Sequence, residues 1–211
     1  MVLQAIRYER GHLEILDQLR LPHTEVYDKI ESSKDAWHAI REMRTRGAPA
    51  IAIVAALGLA VELELLHARK ELSDVAEEVK VFIDEKLHYL VTSRPTAVNL
   101  GDAAGKLEKI VRDAAGSQGA SGASVKDAYV LAAEKMLVDD VSDNEAIGRH
   151  GAEWILKHAS TQGQKVSILT HCNTGYDTRQ SLLCSPSLTF ALQIVGHCRI
   201  RDRAGCDPVR P

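Results

Sequence analysis

Aromatic residues and cysteines are scarce in this 211-residue sequence. Phe, Tyr and Trp make up 4% of the residues, and all four cysteines lie after residue 171. No cysteine pair has the C-x-x-C spacing of a zinc site, and no group of His, Cys and carboxylate residues has ligand spacing. The sequence therefore predicts neither a metal nor an organic cofactor, and for a reducing compartment it predicts free thiols rather than disulfides.

Blocks of like charge and long hydrophobic runs are also missing. The formal net charge is −3, so nothing favours a nucleic acid or an anionic membrane surface as a partner. The longest apolar run, residues 48–61, has the length of a buried core helix and is too short for a bilayer span. The N-terminal residues lack a secretory pattern. We expect no nucleic-acid or membrane partner, and a location in the cytoplasm, with the nucleus as a second location.

The first half of the chain shows strand signals followed by helical ones. Two β-prone runs, 3–8 and 12–16, flank Gly11 and predict a hairpin. Ser33 is the expected N-cap of the first helix, which should end before Gly47. The further predicted helices cover residues 49–66, 73–92 and 99–114, with Pro49 in the first turn of an apolar helix.

A segment of small and polar residues, 116–122, predicts a linker between two domains. Two helices are expected after it, one over 124–138 and one starting at the Ser142 capping box. A buried strand over 166–170 follows. This order predicts an α/β protein. A hairpin and helical domain (1–115) precedes the linker, and the first part of a Rossmann-like parallel-sheet domain (123–175) follows it.

Cys172 directly follows the predicted strand, in the segment His171-Cys172-Asn173-Thr174-Gly175. Open α/β sheets carry their chemistry at the carboxyl ends of such strands. A lone cysteine is nevertheless more often a small buried apolar residue than a nucleophile. His171 is not expected to act as its base, because adjacent strand residues point to opposite faces.

Two upstream segments each combine an arginine with a proline-fixed turn near a helix start. They are Arg46-Gly47-Ala48-Pro49-Ala50-Ile51 and Ser93-Arg94-Pro95-Thr96-Ala97-Val98-Asn99-Leu100. Either arginine alone could be an ordinary exposed residue. With the opening segments 3–8 and 16–22 and with 171–175, in this order and spacing, they resemble the methylthioribose-1-phosphate isomerase family over residues 1–175.

The resemblance implies an aldose–ketose isomerase of methionine salvage that converts 5-methylthioribose 1-phosphate to 5-methylthioribulose 1-phosphate. It implies a phosphorylated pentose as substrate, no cofactor and a homodimer. The matching positions are Cys172 for catalysis and Arg46, Gly47, Ala48 and Arg94 for substrate binding, with Asn99 and Asn173 as further contacts.

Two alternatives share the family fold. One is a non-catalytic regulatory subunit of the translation-initiation exchange factor. The presence of Cys172 in the segment 171–175 argues against this alternative. The other is a ribose-1,5-bisphosphate isomerase, whose substrate carries a phosphate in place of the methylthio group. The residues that would separate the two sugar substrates are not identifiable in the sequence.

Residues 176–211 differ in composition from the rest of the chain. They contain five arginines and neither lysine nor glutamate, which suggests a divergent tail from another reading frame or exon. The family's second catalytic group, an aspartate, has no matching motif here, and Asp177, Asp202 and Asp207 do not inherit its role. The expectation is a truncated isoform, poorly stable and with little or no isomerase activity.

Overall fold

The computed structural model describes residues 4–158, 166–170 and 188–192. The protein is a mixed α/β structure in which a small sheet precedes a group of helices. Its strands are β1 (Ile6–Glu9), β2 (His12–Leu16), β3 (Tyr27–Ile30), β4 (Val166–Thr170) and β5 (Leu188–Leu192). Its helices are α1 (Ser33–Arg41), α2 (Ala48–Ala68), α3 (Ala76–Val91), α4 (Val98–Ala115) and α5 (Gly122–His158).

The N-terminal sheet contains the predicted hairpin and one strand that the sequence did not predict. β1 and β2 pair antiparallel around Gly11, whose φ of 82° is accessible to glycine at little cost. β3 adds to the other edge of β2 in antiparallel register. β3 was missed because it has only four residues and a single buried side chain, Ile30.

The N-cap of helix α1 lies one residue before the predicted one, and the helix ends earlier than the prediction, which extended it almost to Gly47. Ser32, not Ser33, is the N-cap, and its Oγ accepts a hydrogen bond from the Asp35 N–H at 3.2 Å. The helix stops at Arg41 because Met43 adopts a left-handed conformation, with φ of 63°. The Met43 and Arg44 N–H groups then bond back to the last turn of the helix, as in a Schellman motif.

Helix α2 forms the centre of the hydrophobic core. Twelve of its 21 residues are buried, and it is apolar on nearly every face, as a helix covered on all sides must be. Its length and hydropathy would also allow it to cross a bilayer, contrary to the expectation for the shorter run 48–61. However, 67% of the apolar window is buried inside the protein itself, which accounts for its apolar character.

Helices α1 and α2 approach each other closely at Gly58. A Cβ atom built on Gly58 would lie 2.6 Å from Ala36 Cβ and 3.3 Å from a methyl group of Ile30. Glycine is therefore required at this crossing. The contact also shows that the first turn of α1 packs beside the middle of α2.

Polar contacts of Glu62 fix the direction of α1 and α3 relative to α2. The Glu62 carboxylate accepts from the Ser33 N–H at the start of α1 and from Lys86 Nζ in α3, both at 2.7 Å. Further along both helices, Trp37 Nε1 donates to Thr92 Oγ1 at 2.9 Å. Helices α1 and α3 therefore run towards the N-terminus of α2, and α4, which follows α3 after a short turn, begins at that same end.

Helix α5 is continuous over 37 residues, so the prediction of two helices was wrong. The capping-box residues at 142–145 stay inside the helix, where Asn144 Nδ2 donates to the Asp140 carbonyl at 2.8 Å. Its first half belongs to the same core as α2: Tyr129 is fully buried and donates to the Ala56 carbonyl at 3.1 Å. The division into domains at 116–122 stays a prediction.

Strands β4 and β5 pair in parallel, with Val166 opposite Leu188 and Thr170 opposite Leu192. The strand predicted over 166–170 is confirmed. Its neighbour lies in the segment predicted as a divergent tail, where the sequence allowed either a strand or a short helix over 188–195. Two parallel strands do not by themselves establish a Rossmann-like sheet.

Candidate functional site

The first arginine segment forms the start of α2. Gly47 is the N-cap residue, with φ of 100° and ψ of 133°, and its carbonyl accepts the first bond of the helix, from the Ile51 N–H at 2.9 Å. Only glycine adopts this backbone conformation readily. Pro49 follows in the first turn, where its missing N–H has no cost. Ala48 is exposed, so the backbone can be approached closely here.

Arg44 and Arg46 precede α2 in different environments. The Arg44 guanidinium pairs with Asp28 on β3 and with Glu42. Burial alone would lower the pKa of Arg44, but these carboxylates outweigh it and hold the pKa above its ordinary value. Arg46 donates only its Nε, to the Met43 carbonyl at 3.1 Å. Within the described part of the chain, its two terminal nitrogens make no ion pair, so Arg44 is structural and Arg46 is available.

The second arginine segment forms a tight turn between α3 and α4. The Arg94 N–H donates to the Val91 carbonyl at 3.3 Å, and the Arg94 carbonyl accepts from the Ala97 N–H at 2.9 Å. Pro95 occupies the position in this turn that favours its fixed φ. Among the residues that the structure describes, no hydrogen bond or ion pair engages the half-buried Arg94 side chain. The backbone of Arg94 is fixed while its guanidinium is free to bind.

The starts of α2 and α4 share an electrostatic feature. Neither has a side-chain cap or an acidic residue in its first turn. Of the other described helices, α1 is capped by Ser32, α5 is capped by Ser121, and α3 has Glu77 and Glu78 in its first turn. Unpaired N–H groups and the positive end of the helix dipole favour anions at such starts.

The two arginine segments therefore lie at one end of the helical group, and α1 connects them. The C-terminal turn of α1 is followed by the loop that contains Arg46 and Gly47. In the middle of α1, Trp37 donates a hydrogen bond to Thr92, which lies two residues before Arg94. Two cations and two uncapped helix starts at one end suit a phosphate group. The Trp37–Thr92 contact was not anticipated from the sequence, because its partners are 55 residues apart and carry no local signal.

Of the other predicted site residues, the structure describes only Asn99. Asn99 is exposed in the first turn of α4. Cys172, His171 and Asn173 lie outside the described residues, and their proposed roles stay predictions. Within the described ranges, no group of three His, Cys, Asp or Glu residues could hold a metal ion.

Curated relatives match most of the chain. It is 72% identical over 177 residues to the methylthioribose-1-phosphate isomerase of Pyrenophora tritici-repentis, which covers 83% of this chain and 44% of that protein. It is 59% identical over 175 residues to the isomerase of Aspergillus terreus, covering 83% of this chain and 46% of that one. The chain thus spans about half the length of the curated relatives it matches.

Solved structures share the fold. 5-Methylthioribose 1-phosphate isomerase from Pyrococcus horikoshii OT3 matches with a TM-score of 0.68 and 28% identity, over 82% of this chain and 44% of that chain. Translation initiation factor eIF-2B subunit delta from A. fulgidus matches with a TM-score of 0.70 and 25% identity, over 90% and 54%. Residues 44–203 match the Initiation factor 2 subunit family, past Gly175 and into the tail. The chain therefore belongs to the initiation factor 2 subunit family.

Proposed function

We propose that this chain acts on 5-methylthioribose 1-phosphate, as an aldose–ketose isomerase of methionine salvage. The observation that carries the proposal is the 72% identity to an isomerase over 177 residues. An alignment over 83% of the chain must include Arg46, Arg94 and Cys172. The free arginines and uncapped helix starts supply what a sugar phosphate requires.

The proposed binding roles follow from the local geometry. Arg46 and Arg94 contribute charge-assisted hydrogen bonds to the phosphate. Gly47 and Ala48 let the phosphate reach the backbone at the start of α2, where the helix dipole favours its charge. Binding at the phosphate orients C1 and C2 of the sugar, between which the carbonyl must move.

The proposed chemistry depends on Cys172. A thiol with its ordinary pKa of about 8.5 is only a few per cent ionised at neutral pH, so its surroundings must assist it. We assign no partner to it, because the family's catalytic aspartate has no matching motif in these 211 residues. Low turnover by this chain is therefore part of the proposal. So are a Rossmann-like second domain, a homodimer, and a cytoplasmic or nuclear location without nucleic-acid or membrane partners.

A binding experiment tests the phosphate site independently of turnover. The purified chain is titrated with 5-methylthioribose 1-phosphate and with 5-methylthioribose, which lacks the phosphate. Arg94→Ala should weaken binding of the phosphorylated sugar by about tenfold or more. The matched control is Arg69→Ala, at the opposite end of α2. Equal binding of both sugars, or of both arginine variants, would contradict the proposal.

A turnover experiment then tests the reaction and its substrate. Any isomerase activity on 5-methylthioribose 1-phosphate should disappear in Cys172→Ser. Ribose 1,5-bisphosphate, offered beside it, should be the poorer substrate. Faster turnover of the bisphosphate would move the assignment to the ribose-1,5-bisphosphate isomerase alternative.

A second candidate is a regulatory subunit without catalysis. The structural likeness to eIF-2B subunit delta over 90% of the chain supports it. Such a protein should join a larger complex with exchange-factor subunits, whereas an isomerase should associate at most with its own kind. Size-exclusion chromatography of the chain mixed with those subunits distinguishes the two, and we expect no joint peak.

A further inference from the structure

A three-residue contact beside the second arginine segment carries an inference beyond the residues already assigned. Trp37 of α1 lies against the end of α3, where its ring stacks on Tyr89 with centroids 5.7 Å apart and planes at 17°. Its Nε1 donates to Thr92 Oγ1 at 2.9 Å. Thr92 Oγ1 in turn donates to the Tyr89 carbonyl at 2.6 Å. We call Trp37, Tyr89 and Thr92 the α1–α3 clamp.

The clamp acts on the turn that carries Arg94. Thr92 is the C-cap of α3, and the next residue, Ser93, is buried and bonded through Oγ to the Leu90 carbonyl at 2.6 Å. The Arg94 N–H is itself bonded to the Val91 carbonyl. Thr92, Ser93 and Arg94 are thus each hydrogen-bonded back to the last turn of α3, and Trp37 is hydrogen-bonded to the first of these three consecutive residues.

The same helix fixes Arg46. From Trp37 to the C-cap Glu42, α1 advances only about 7.5 Å at 1.5 Å per residue. The left-handed turn at Met43 then leads directly to Arg46, whose Nε bonds the Met43 carbonyl. Helix α1 therefore acts as a short spacer between the two arginines. Arg46 follows its C-terminal end in the chain, and the turn that contains Arg94 is connected to it by the α1–α3 clamp.

From this arrangement we infer that Trp37 is a positioning residue that sets the separation of Arg46 and Arg94 for a phosphate-bearing ligand. The inference rests on the proposed phosphate site but adds a residue that, among the described residues, is hydrogen-bonded to neither arginine. Loss of the indole N–H or of the Thr92 hydroxyl frees the turn from α1. The backbone of Arg94 then loses its fixed position relative to the backbone of Arg46, and phosphate binding weakens although the fold persists.

The test uses the full chain and inorganic phosphate as the probe, with chloride at equal ionic strength as the blank. Trp37→Phe keeps the stacking on Tyr89 and removes the N–H donor, and Thr92→Val removes the hydroxyl at nearly constant shape. Each should raise the phosphate Kd by about three- to tenfold. Thr92→Ser keeps the hydroxyl and should restore the Kd to within about twofold of the original.

The second tryptophan provides a matched control. Trp154 is 63% exposed near the end of α5 and stacks on His158, away from both arginine segments in the chain. Trp154→Phe should leave the phosphate Kd unchanged. It also makes Trp37 the single tryptophan, so that a change of its emission on adding phosphate reports directly on the clamp. Circular dichroism and Tm show whether each variant is folded.

The outcomes separate this inference from the proposed function. If Arg94→Ala abolishes phosphate binding while Trp37→Phe and Thr92→Val bind as tightly as Trp154→Phe, the phosphate site stands and the positioning role of Trp37 is wrong. If the original chain and Arg94→Ala bind phosphate equally, the phosphate site fails and the clamp has nothing to position. Weaker binding in both clamp variants, with rescue by Thr92→Ser at unchanged Tm, supports the inference.

Discussion

At the scale of single residues, the loop before the candidate site contains a strained position. Met43 has φ of 63° at the C-terminus of α1 and is 42% exposed. A left-handed conformation costs a non-glycine residue about 1–2 kcal/mol, and a glycine avoids this cost. Glycine is more flexible in the unfolded state, however, and this extra entropy lowers the stability of the folded state by about 0.5–1 kcal/mol. Met43→Gly should therefore raise the free energy of unfolding by about 0.5–1 kcal/mol, as measured by urea denaturation.

Lys70 provides the matched test of that argument. It occupies the equivalent left-handed position after α2, with φ of 60°, and is exposed. Lys70→Gly should stabilise the chain by a similar amount. If Lys70→Gly stabilises and Met43→Gly does not, the Met43 side chain makes contacts that offset its backbone strain.

Residue types near the site were predictable, but their partners were not. The sequence placed Gly47 and Arg94 at turns, because glycine tolerates positive φ and proline restricts the residue before it. It could not separate Arg46 from Arg44, since only the fold brings Asp28 next to Arg44. For the same reason the contact between Trp37 and Thr92 could not be predicted.

At the scale of elements, the crossing of α1 and α2 predicts an effect on stability that is opposite to the one expected from helix propensity alone. Gly58→Ala would place a methyl group 2.6 Å from Ala36 Cβ, which is fixed to the backbone of α1. We expect destabilisation of about 1–3 kcal/mol from overpacking. Gly105→Ala in α4 meets no atom within 4 Å and should stabilise by about 1 kcal/mol. Thermal or urea unfolding of both variants checks the contrast, and the prediction fails if both change stability in the same direction.

The attachment of the hairpin to α5 should depend on pH. Glu134 accepts from Arg10 at 2.6 Å and 2.9 Å and from the Tyr8 hydroxyl at 3.0 Å. The Arg10 hydrogen bond is the main reason why the pKa of Glu134 is lowered, although burial opposes it. A lowered pKa in the folded state stabilises the protein above the ordinary carboxyl value, and this stabilisation is lost as pH falls through the folded-state pKa.

Glu134→Gln should therefore be less stable than the original chain at neutral pH. The difference in unfolding free energy should persist down to about pH 4.5, the ordinary value for glutamate, and shrink below it. Glu85→Gln is the control, because Glu85 is exposed and makes no ion pair among the described residues. A difference that stays constant into the acid range would show that the Glu134 carboxylate is not held ionised by Arg10.

Helix α5 shows why element boundaries were the weakest part of the sequence prediction. Ser142 and Glu145 match a capping box, but the same residue types are also tolerated inside a helix when their side chains bond within it, as Asn144 does. Strands 12–16 and 166–170 were located correctly, because each is only five residues long, too short for a typical helix, and lies next to glycine or other turn residues.

At the scale of the whole molecule, the position of the two arginine segments at one end follows from long-range contacts that no local pattern contains. Glu62 of α2 fixes the directions of α1 and α3 through its hydrogen bonds to Ser33 and Lys86, which are 29 and 24 residues away in the sequence. Lys126 of α5 likewise pairs with Glu64 of α2 across 62 residues. The sequence could predict the number of helices before residue 116, but their directions required these contacts.

Those contacts lead to a prediction about which part of the chain folds alone. The core includes four residues after the predicted linker: Val125, Tyr129, Val130 and Ala133. Each larger buried side chain is worth about 1.5–3 kcal/mol, so their loss is comparable to a whole domain's stability of about 5–15 kcal/mol. A fragment of residues 1–115 should therefore fail to unfold cooperatively, whereas 1–140 should give a cooperative urea transition by circular dichroism. A cooperative transition for 1–115 would instead establish the predicted boundary at 116–122 as a true domain border.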